Sequence, residues 1–258
     1  GGNYNVVVGD EAGTAITTGD NNNLFGFGSG ESITTGQYNS SFGSDSLDAL
    51  TTGTRNTAFG NDTLSSDTLG SRAVAVGLGA LQNQNFTSAT DNYNVAVGFQ
   101  AGNDITTGVN NTLIGGLAGD AITTGSQITA IGQHAAGKTT TASNNTAIGR
   151  AAMYDNTTGA SNVAVGTDAL YFNTTASNNT AVGYQSLYDN TTGVSITAIG
   201  RQALLYNTTG NSSTAVGLNA LWSNTTGSNN TGIGEQALVN NTTASNNTAV
   251  GYQAGYSN

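Results

Sequence analysis

A glycine that recurs at a fixed interval constrains this chain more than any other feature. Fifteen glycines close a short motif of the form Asn-Thr-Ala-Val-Gly, and each lies 17 residues after the one before, apart from a single interval of 21. These motif glycines are Gly9, Gly26, Gly43, Gly60, Gly77, Gly98, Gly115, Gly132, Gly149, Gly166, Gly183, Gly200, Gly217, Gly234 and Gly251. A fixed short period is typical of solenoids, in which each repeat stacks on its neighbour.

The residues within one repeat favour strands over helices. In every repeat a large apolar residue precedes the motif glycine, the residue before that is usually Ala, and a second apolar pair follows three and four positions later. Helical repeats need about 30 residues or more and good helix formers, which are scarce here. Two strands of about five residues and two tight turns would fill one repeat. We therefore predict an all-β parallel β-solenoid, or β-roll, of about fifteen 17-residue coils, on the order of 70 Å long.

The apolar positions vary together, as expected for a thin core. Where the fourth residue after the motif glycine is Gly, as at Gly102, the residue three further on is Ile, as at Ile105. Where the first position is Leu, as at Leu187, the second is usually Asn, as at Asn190. This compensation predicts that the larger apolar group of each pair fills the interior. Since adjacent Ala and Val residues of a strand face opposite sides, one apolar ladder needs cover from a neighbouring chain, and either ladder could be the one.

The motif is followed by an Ala-containing segment and a turn of the form Asn-Thr-Thr-Gly or Asn-Asn, as after Asn145 to Gly149 and Asn179 to Gly183. This pattern resembles the head repeats of trimeric autotransporter adhesins, and similar repeats occur in phage tail-fibre and other bacterial surface-fibre proteins. The resemblance covers essentially the whole chain. It implies a left-handed β-roll, a homotrimer, and adhesion to a surface or host receptor from a cell surface or a virion tail fibre. The handedness and the number three come from the resemblance alone.

The composition argues against catalysis and against nucleic acid. With 15 acidic and 5 basic residues the net charge is −10, which repels phosphate groups. Cysteine is absent and His134 is the only histidine, so a thiol nucleophile, a Cys-ligated zinc and a His-based metal cluster are excluded within one chain. The sequence contains no run of about 18 apolar residues, so it does not predict a helix that spans a membrane. We expect no enzyme, no catalytic residue and no resident metal, and we expect His134 to be solvated.

We treat residues 1–258 as a single solenoid domain, an excerpt of a longer fibre protein, with a loop insertion at 82–92. Insertions in solenoids map to loops and often to binding faces, so Asn85 and Phe86 are candidate ligand-binding residues, with neutral tolerance as the alternative. A second candidate set shares the fifth position after the motif glycine in the later coils: Tyr154, Tyr171, Tyr188 and Trp222. Such a ladder could stack on the sugar rings of a glycan, or it could pack against a neighbouring chain.

Two polar patterns allow a binding interpretation and a simpler one. Most acidic residues lie in the first half of the chain, where stacked carboxylates would repel one another unless a cation lay between them. Ca²⁺ is therefore the one cofactor to consider, although plain solvation of these side chains explains the pattern as well. The Asn-Thr-Thr segments, such as the one at Asn156, match the acceptor pattern for N-glycosylation, but tight turns demand the same residues.

The favoured function is a structural or adhesive segment of an extracellular or phage tail fibre that presents a receptor-binding face. One alternative is an ice-binding β-solenoid with regular Thr and Asn arrays, and another is a mechanical spacer without any ligand. The recurring threonines are adjacent, as at Thr191 and Thr192, so their side chains are expected to diverge, which argues against a flat ice-binding array.

Overall fold

The computed structural model describes residues 2–257, which form an all-β parallel β-solenoid of about 14 turns with 17-residue spacing and no helices. This confirms the predicted fold class. The chain divides into two compact units, Gly1–Gln127 and Ile128–Asn258. Across residues 2–257 no helix is long and apolar enough to cross a membrane.

The first unit pairs one short strand from each coil with the strand of the next coil. All of these pairs are parallel, and residues 17 or 21 apart lie opposite each other. The paired strands are β1 (Val6–Val8), β2 (Asn23–Phe25), β3 (Ser40–Phe42), β4 (Thr57–Phe59), β6 (Val74–Val76), β8 (Val95–Val97) and β9 (Thr112–Ile114). Two shorter strands, β5 (Gly70–Ser71) and β7 (Thr90–Asp91), pair separately beside the insertion.

The second unit repeats the same arrangement without interruption. Each strand is parallel to the next and in register with it, so that Ala181 lies opposite Ala198 and Val182 lies opposite Ile199. The strands are β10 (Thr129–Ile131), β11 (Thr146–Ile148), β12 (Val163–Val165), β13 (Thr180–Val182), β14 (Thr197–Ile199), β15 (Thr214–Val216), β16 (Thr231–Ile233) and β17 (Thr248–Val250).

The prediction of two strands of about five residues per coil was wrong, because the regular coils of the second unit contain one strand of three residues each. The reason lies in the backbone after the motif glycine. In the coil of Gly183, Gln185 and Leu187 have φ values of 51° and 54°, in the left-handed region, and the same two positions repeat this in neighbouring coils. An extended strand cannot continue through residues with left-handed backbone. The chain therefore changes direction at these two positions, and no second strand forms in this segment.

This turn-rich segment still bonds to the adjacent coils. The backbone N–H of Gln185 donates to Thr167 O at 3.0 Å in the preceding coil, and that of Leu187 donates to Ala203 O at 2.9 Å in the following coil. The N–H of Ser186 closes a turn within its own coil on Gly183 O, at 3.3 Å. Neighbouring coils therefore satisfy the backbone groups that a strand ladder would otherwise pair.

The orientation of each strand answers the question that the sequence left open. The middle residue points into the coil, and Ala164, Ala181 and Ala198 have no exposed surface. The flanking residues point outward, so that Ile199 remains 40% exposed. The small Ala side chain faces inward because the apolar pair after the motif glycine, Ala203 and Leu204 in this coil, already fills the narrow interior.

The compensation between Gly and Ile has a direct structural basis. A Cβ atom on Gly102 would lie 2.6 Å from Leu113 Cδ1, 3.0 Å from Leu81 Cδ2 and 3.2 Å from Ile105 Cδ1. Leu113 occupies the inward strand position that is usually Ala, so the space over the glycine is filled by a larger strand residue as well as by the isoleucine. The three positions thus share one interior volume.

Two columns of buried asparagine run along the stacked coils. Asn190 has no exposed surface; its Nδ2 donates to Asn173 Oδ1 at 3.1 Å and to Gly193 O at 3.0 Å, and its Oδ1 accepts from Asn207 Nδ2 at 2.9 Å. The second column lies four residues before the motif glycine, where Asn179 Nδ2 donates to the same Gly193 O at 2.8 Å. The turn interpretation of the Asn-Thr-Thr segments is therefore supported, because these amides are consumed in the interior.

Replacing a motif glycine is expected to destabilise the coil around it. Gly98 has a φ of 141°, and an added Cβ would lie 2.6 Å from the carbonyl carbon of Gly115, so Gly98→Ala should lower the free energy of unfolding by about 3 kcal/mol. The control is Gly116→Ala, because an added Cβ there meets no atom within 4 Å and should change stability by less than about 0.5 kcal/mol. Denaturant unfolding followed by circular dichroism measures both, and equal effects would contradict the close approach of the coils.

Removing one buried amide should cost more than removing an exposed hydroxyl. Asn190→Ala leaves the partner groups on Asn173 and Asn207 without their hydrogen bonds, so a loss of about 2 kcal/mol or more is expected. Thr192→Ala, at an exposed position in the same coil, is the control and should stay within about 0.5 kcal/mol of the parent. Chemical denaturation of both variants tests this, and a neutral Asn190→Ala would show that the amide column does not stabilise the stack.

Candidate functional site

The outward residues of the strands form a continuous surface in each unit, with one apolar row and one row of Thr, Val, Ser and Asn. We call this surface the outer strand face and define it by the first and third strand residues, three and one positions before the motif glycine. In the second unit the third residue of every strand is Val or Ile, and we call this row of side chains the third-residue rank. Of its members, Ile148, Ile199 and Ile233 are 36%, 40% and 39% exposed. The first-residue rank is Thr in every strand except β12, where Val163 takes the position.

In the first unit the same face carries phenylalanine. The rings of Phe25, Phe42 and Phe59 stack with centroid separations of 4.6 and 4.5 Å. Two further rings, Phe27 and Phe99, follow the motif glycine directly and are 50% and 52% exposed. The large apolar residue that precedes each motif glycine thus lies outside the coil and does not fill the core of its own chain.

The sequence-predicted tyrosines come together in the second unit as an aromatic column. Tyr154 and Tyr171 stack at 5.3 Å between centroids, and Tyr171 and Tyr188 also stack at 5.3 Å. Because these faces cover one another, the column presents ring edges to solvent rather than a row of free faces. Burial raises the pKa of Tyr171 and Tyr188, and the negative charges nearby raise both further.

Trp222 lies apart from the column, because Leu205 occupies the intervening coil and is buried. Its indole contacts the ring of Tyr206 at 4.6 Å with an interplanar angle of 74°. The column ends on the other side at His134, whose half-buried imidazole meets the Tyr154 ring edge-on at 5.9 Å.

Sequence reasoning missed two rings that lie at the next position along the coil. Phe172 is 37% exposed and Tyr206 is 41% exposed. Phe172 is nearly perpendicular to both Tyr171 and Tyr188, with centroid distances of 4.7 and 5.1 Å. Phe172 therefore packs across the edges of both stacked rings while remaining partly exposed. Both rings are visible in the sequence pattern, because Phe172 directly follows Tyr171 and Tyr206 lies in the coil before Trp222.

Carboxylates alternate with these two rings. Asp155 and Asp189 occupy the same coil position as Phe172 and Tyr206, in the intervening coils. Asp155 forms an ion pair with Lys138 at 2.7 Å, and the Lys138 ammonium also lies 5.0 Å from the centre of the Tyr154 ring. Burial raises the pKa of the Asp189 carboxyl, and among residues 128–257 no ion pair engages it.

The insertion separates its two candidate residues. Phe86 is only 5% exposed, whereas Asn85 is exposed and its Oδ1 accepts from Thr68 Oγ1 at 3.0 Å. Beneath them the buried Asp67 takes the place of an interior asparagine and accepts from Gln84 Nε2 at 2.6 Å and from the Gly70 N–H at 2.9 Å. Burial raises the pKa of Asp67, while these hydrogen bonds act in the opposite direction. Of the two, only Asn85 offers its side chain to a ligand.

The acidic residues of the first unit are distributed along the coils. Burial raises the pKa of Asp48, and the charges of Asp45 and Glu31 raise it further, so these carboxylates do repel one another. Among residues 2–257 no group of three or more acidic or histidine side chains could hold a metal ion. The Ca²⁺ interpretation stays a prediction from the sequence.

Comparison with known protein families, with characterised proteins and with solved structures finds no match to this chain.

Proposed function

We propose that this chain is a structural segment of an extracellular or virion fibre, in which copies associate side by side through the outer strand face. The observation that carries the proposal is the row of Val, Ile and Phe side chains that runs along this face in each unit, half-buried in some coils and exposed in others, such as those of Phe59, Ile148 and Ile199. In this proposal the chain has no enzymatic role, and its remaining surfaces contact a host or surface receptor.

The argument for lateral association rests on apolar area. Isolated exposed apolar residues are ordinary, but contiguous apolar patches of more than a few hundred Å² mark interaction sites. Each buried Å² of such surface contributes about 25 cal/mol, and here the contribution recurs in every coil. Neither row of this face contains a charged residue, so association desolvates no charge, and only the Thr, Ser and Asn side chains of the first row must find hydrogen-bond partners.

The fibre assignment and the number of copies have different support. A β-solenoid is consistent with a structural, fibre-like role. The homotrimer comes from the resemblance of the Asn145 to Gly149 and Asn179 to Gly183 motifs to the head repeats of trimeric adhesins. The location outside the cell, or on a virion, comes from the same resemblance.

A charge on the outer strand face should separate the copies. The parent is expected at three times the 25.8 kDa chain mass by light scattering. The double variant Val182→Asp and Ile199→Asp places carboxylates on adjacent strands of this face and should give the mass of one chain with an unchanged circular dichroism spectrum.

The control for this experiment is Thr192→Asp, at an exposed position away from the strands, which should keep the parent mass. A parent that scatters as one chain at micromolar concentration would overturn the proposal. A variant that unfolds is distinguished by its circular dichroism spectrum.

A second candidate function, ice binding, is favoured by one observation. The adjacent Thr pair is not that observation, because its two side chains have different surroundings. Thr191 Oγ1 donates to Thr208 O at 3.0 Å, whereas Thr192 is exposed. The first-residue rank, however, places Thr180, Thr197 and Thr214 in register on the outer strand face, beside a rank of Val and Ile. Regular hydroxyl and methyl groups at the strand spacing of about 4.8 Å can order water on a flat surface.

Lateral association and ice binding compete for this face, so one measurement separates them. If the face binds ice, the parent shows thermal hysteresis in dilute solution, and Thr197→Tyr abolishes it by breaking the flat rank. Thr192→Tyr, at an exposed position outside the face, leaves the hysteresis unchanged. A parent without hysteresis rejects this second candidate.

A further inference from the structure

The strongest unassigned feature of the second unit is the alternation of carboxylates and rings at one coil position. We call it the ring–carboxylate strip and define it as Asp155, Phe172, Asp189 and Tyr206. Each member lies 17 residues after the one before, so the four belong to four successive coils. The two rings are two coils apart, which is about 10 Å at the usual spacing of strands.

The rings of the strip are held by neighbouring rings and remain partly exposed. Phe172 lies across the edges of Tyr171 and Tyr188, at 4.7 and 5.1 Å, which fixes its plane. Tyr206 contacts Trp222 of the following coil at a similar angle, 74°. The aromatic column therefore acts as a rigid support, and the rings that are 37% and 41% exposed are the ones available to a partner.

The spacing of the rings matches one class of partner. In an extended β-1,4-linked polysaccharide successive sugars are flipped, so every second sugar presents the same face, and the disaccharide repeat is close to the separation of two coils. Pyranose faces carry C–H groups that pack on aromatic rings, as apolar groups do. Phe172 and Tyr206 would each receive one sugar, and the intervening sugar would lie over Asp189.

The carboxylates of the strip favour neutral polysaccharides over anionic ones. An ionised carboxylate only accepts hydrogen bonds, and hydroxyl groups donate to it with charge-assisted strength. Among residues 128–257 no ion pair occupies Asp189, so its oxygens are free to accept from a sugar hydroxyl. Together with the net charge of −10, this disfavours anionic chains such as uronates or sulfated glycans.

We infer that the ring–carboxylate strip is a binding site for a neutral, extended β-1,4-linked polysaccharide that runs along the stacked coils. This inference deepens the receptor-binding part of the proposed function and rests on it, because a fibre that meets a surface encounters such polymers. It names residues that are not part of the outer strand face, so the two surfaces can be tested separately.

Binding of soluble hexasaccharides to the full chain tests the inference. Calorimetric titration with cellohexaose, chitohexaose and mannohexaose is expected to show saturable binding to at least one of them, and none to the α-linked maltohexaose. Phe172→Ala and Tyr206→Ala should each weaken binding by about tenfold, and Tyr206→Phe, which keeps the ring, should bind as the parent does. Asp189→Asn should also weaken binding, because the charged acceptor is lost.

The control variant is Phe99→Ala, which removes a 52% exposed ring of the first unit and should leave binding unchanged. Absence of binding to all three β-1,4 hexasaccharides, or equal binding of maltohexaose, would overturn the inference. So would an oligomer mass that falls in Phe172→Ala, since the strip would then be covered by a second copy. The proposed fibre role is tested by a different measurement, the oligomer mass of the parent chain, which sugar binding does not affect.

Discussion

The stacking of one coil on the next in register is the interaction on which the rest of this structure depends. A coil with a single three-residue strand cannot pair its own backbone groups, so N–H groups on both sides of the motif glycine donate to neighbouring coils. The period of 17 residues places like over like. Asn donates to Asn, Tyr stacks on Tyr and Ala covers Ala because register, rather than any single contact, brings identical side chains together. A slip by one residue would break all of these columns at once.

Register also explains why polar groups can fill so much of the interior. An asparagine amide donates to one neighbour and accepts from another, so a column of identical amides satisfies itself along the stack. The Asn190 column and the Asn179 column converge on the same carbonyl oxygen of Gly193. The interior is therefore part apolar and part amide, and the large apolar strand residue before each motif glycine is left on the outer strand face. The surface proposed for lateral association is a consequence of how narrow the coil is.

The period predicted the fold class, and the residue pairs at Gly102 and Ile105 predicted how the core is filled. The sequence could not predict which strand ladder faces outward, because Ala and Val are both apolar and only the free interior volume distinguishes them. The strand count failed because Gln185 and Leu187 carry no mark of left-handed backbone. At the candidate site the ladder of Tyr154, Tyr171 and Tyr188 was predicted correctly as a column, but its faces are mutually covered. The exposed rings of Phe172 and Tyr206 depend on a perpendicular contact that spacing alone does not reveal.

Disulfide formation between paired cysteines tests the register most directly, since the chain has no cysteine of its own. Thr180 and Thr197 are direct partners on adjacent strands, whose backbones lie about 5 Å apart, within the range that a disulfide bridges. The double variant Thr180→Cys and Thr197→Cys should form an intramolecular disulfide under mild oxidation. The pair Thr180→Cys and Thr214→Cys, two strands apart, should keep both thiols free within the chain. Equal intramolecular cross-linking of both pairs, or of neither, would contradict the in-register stack.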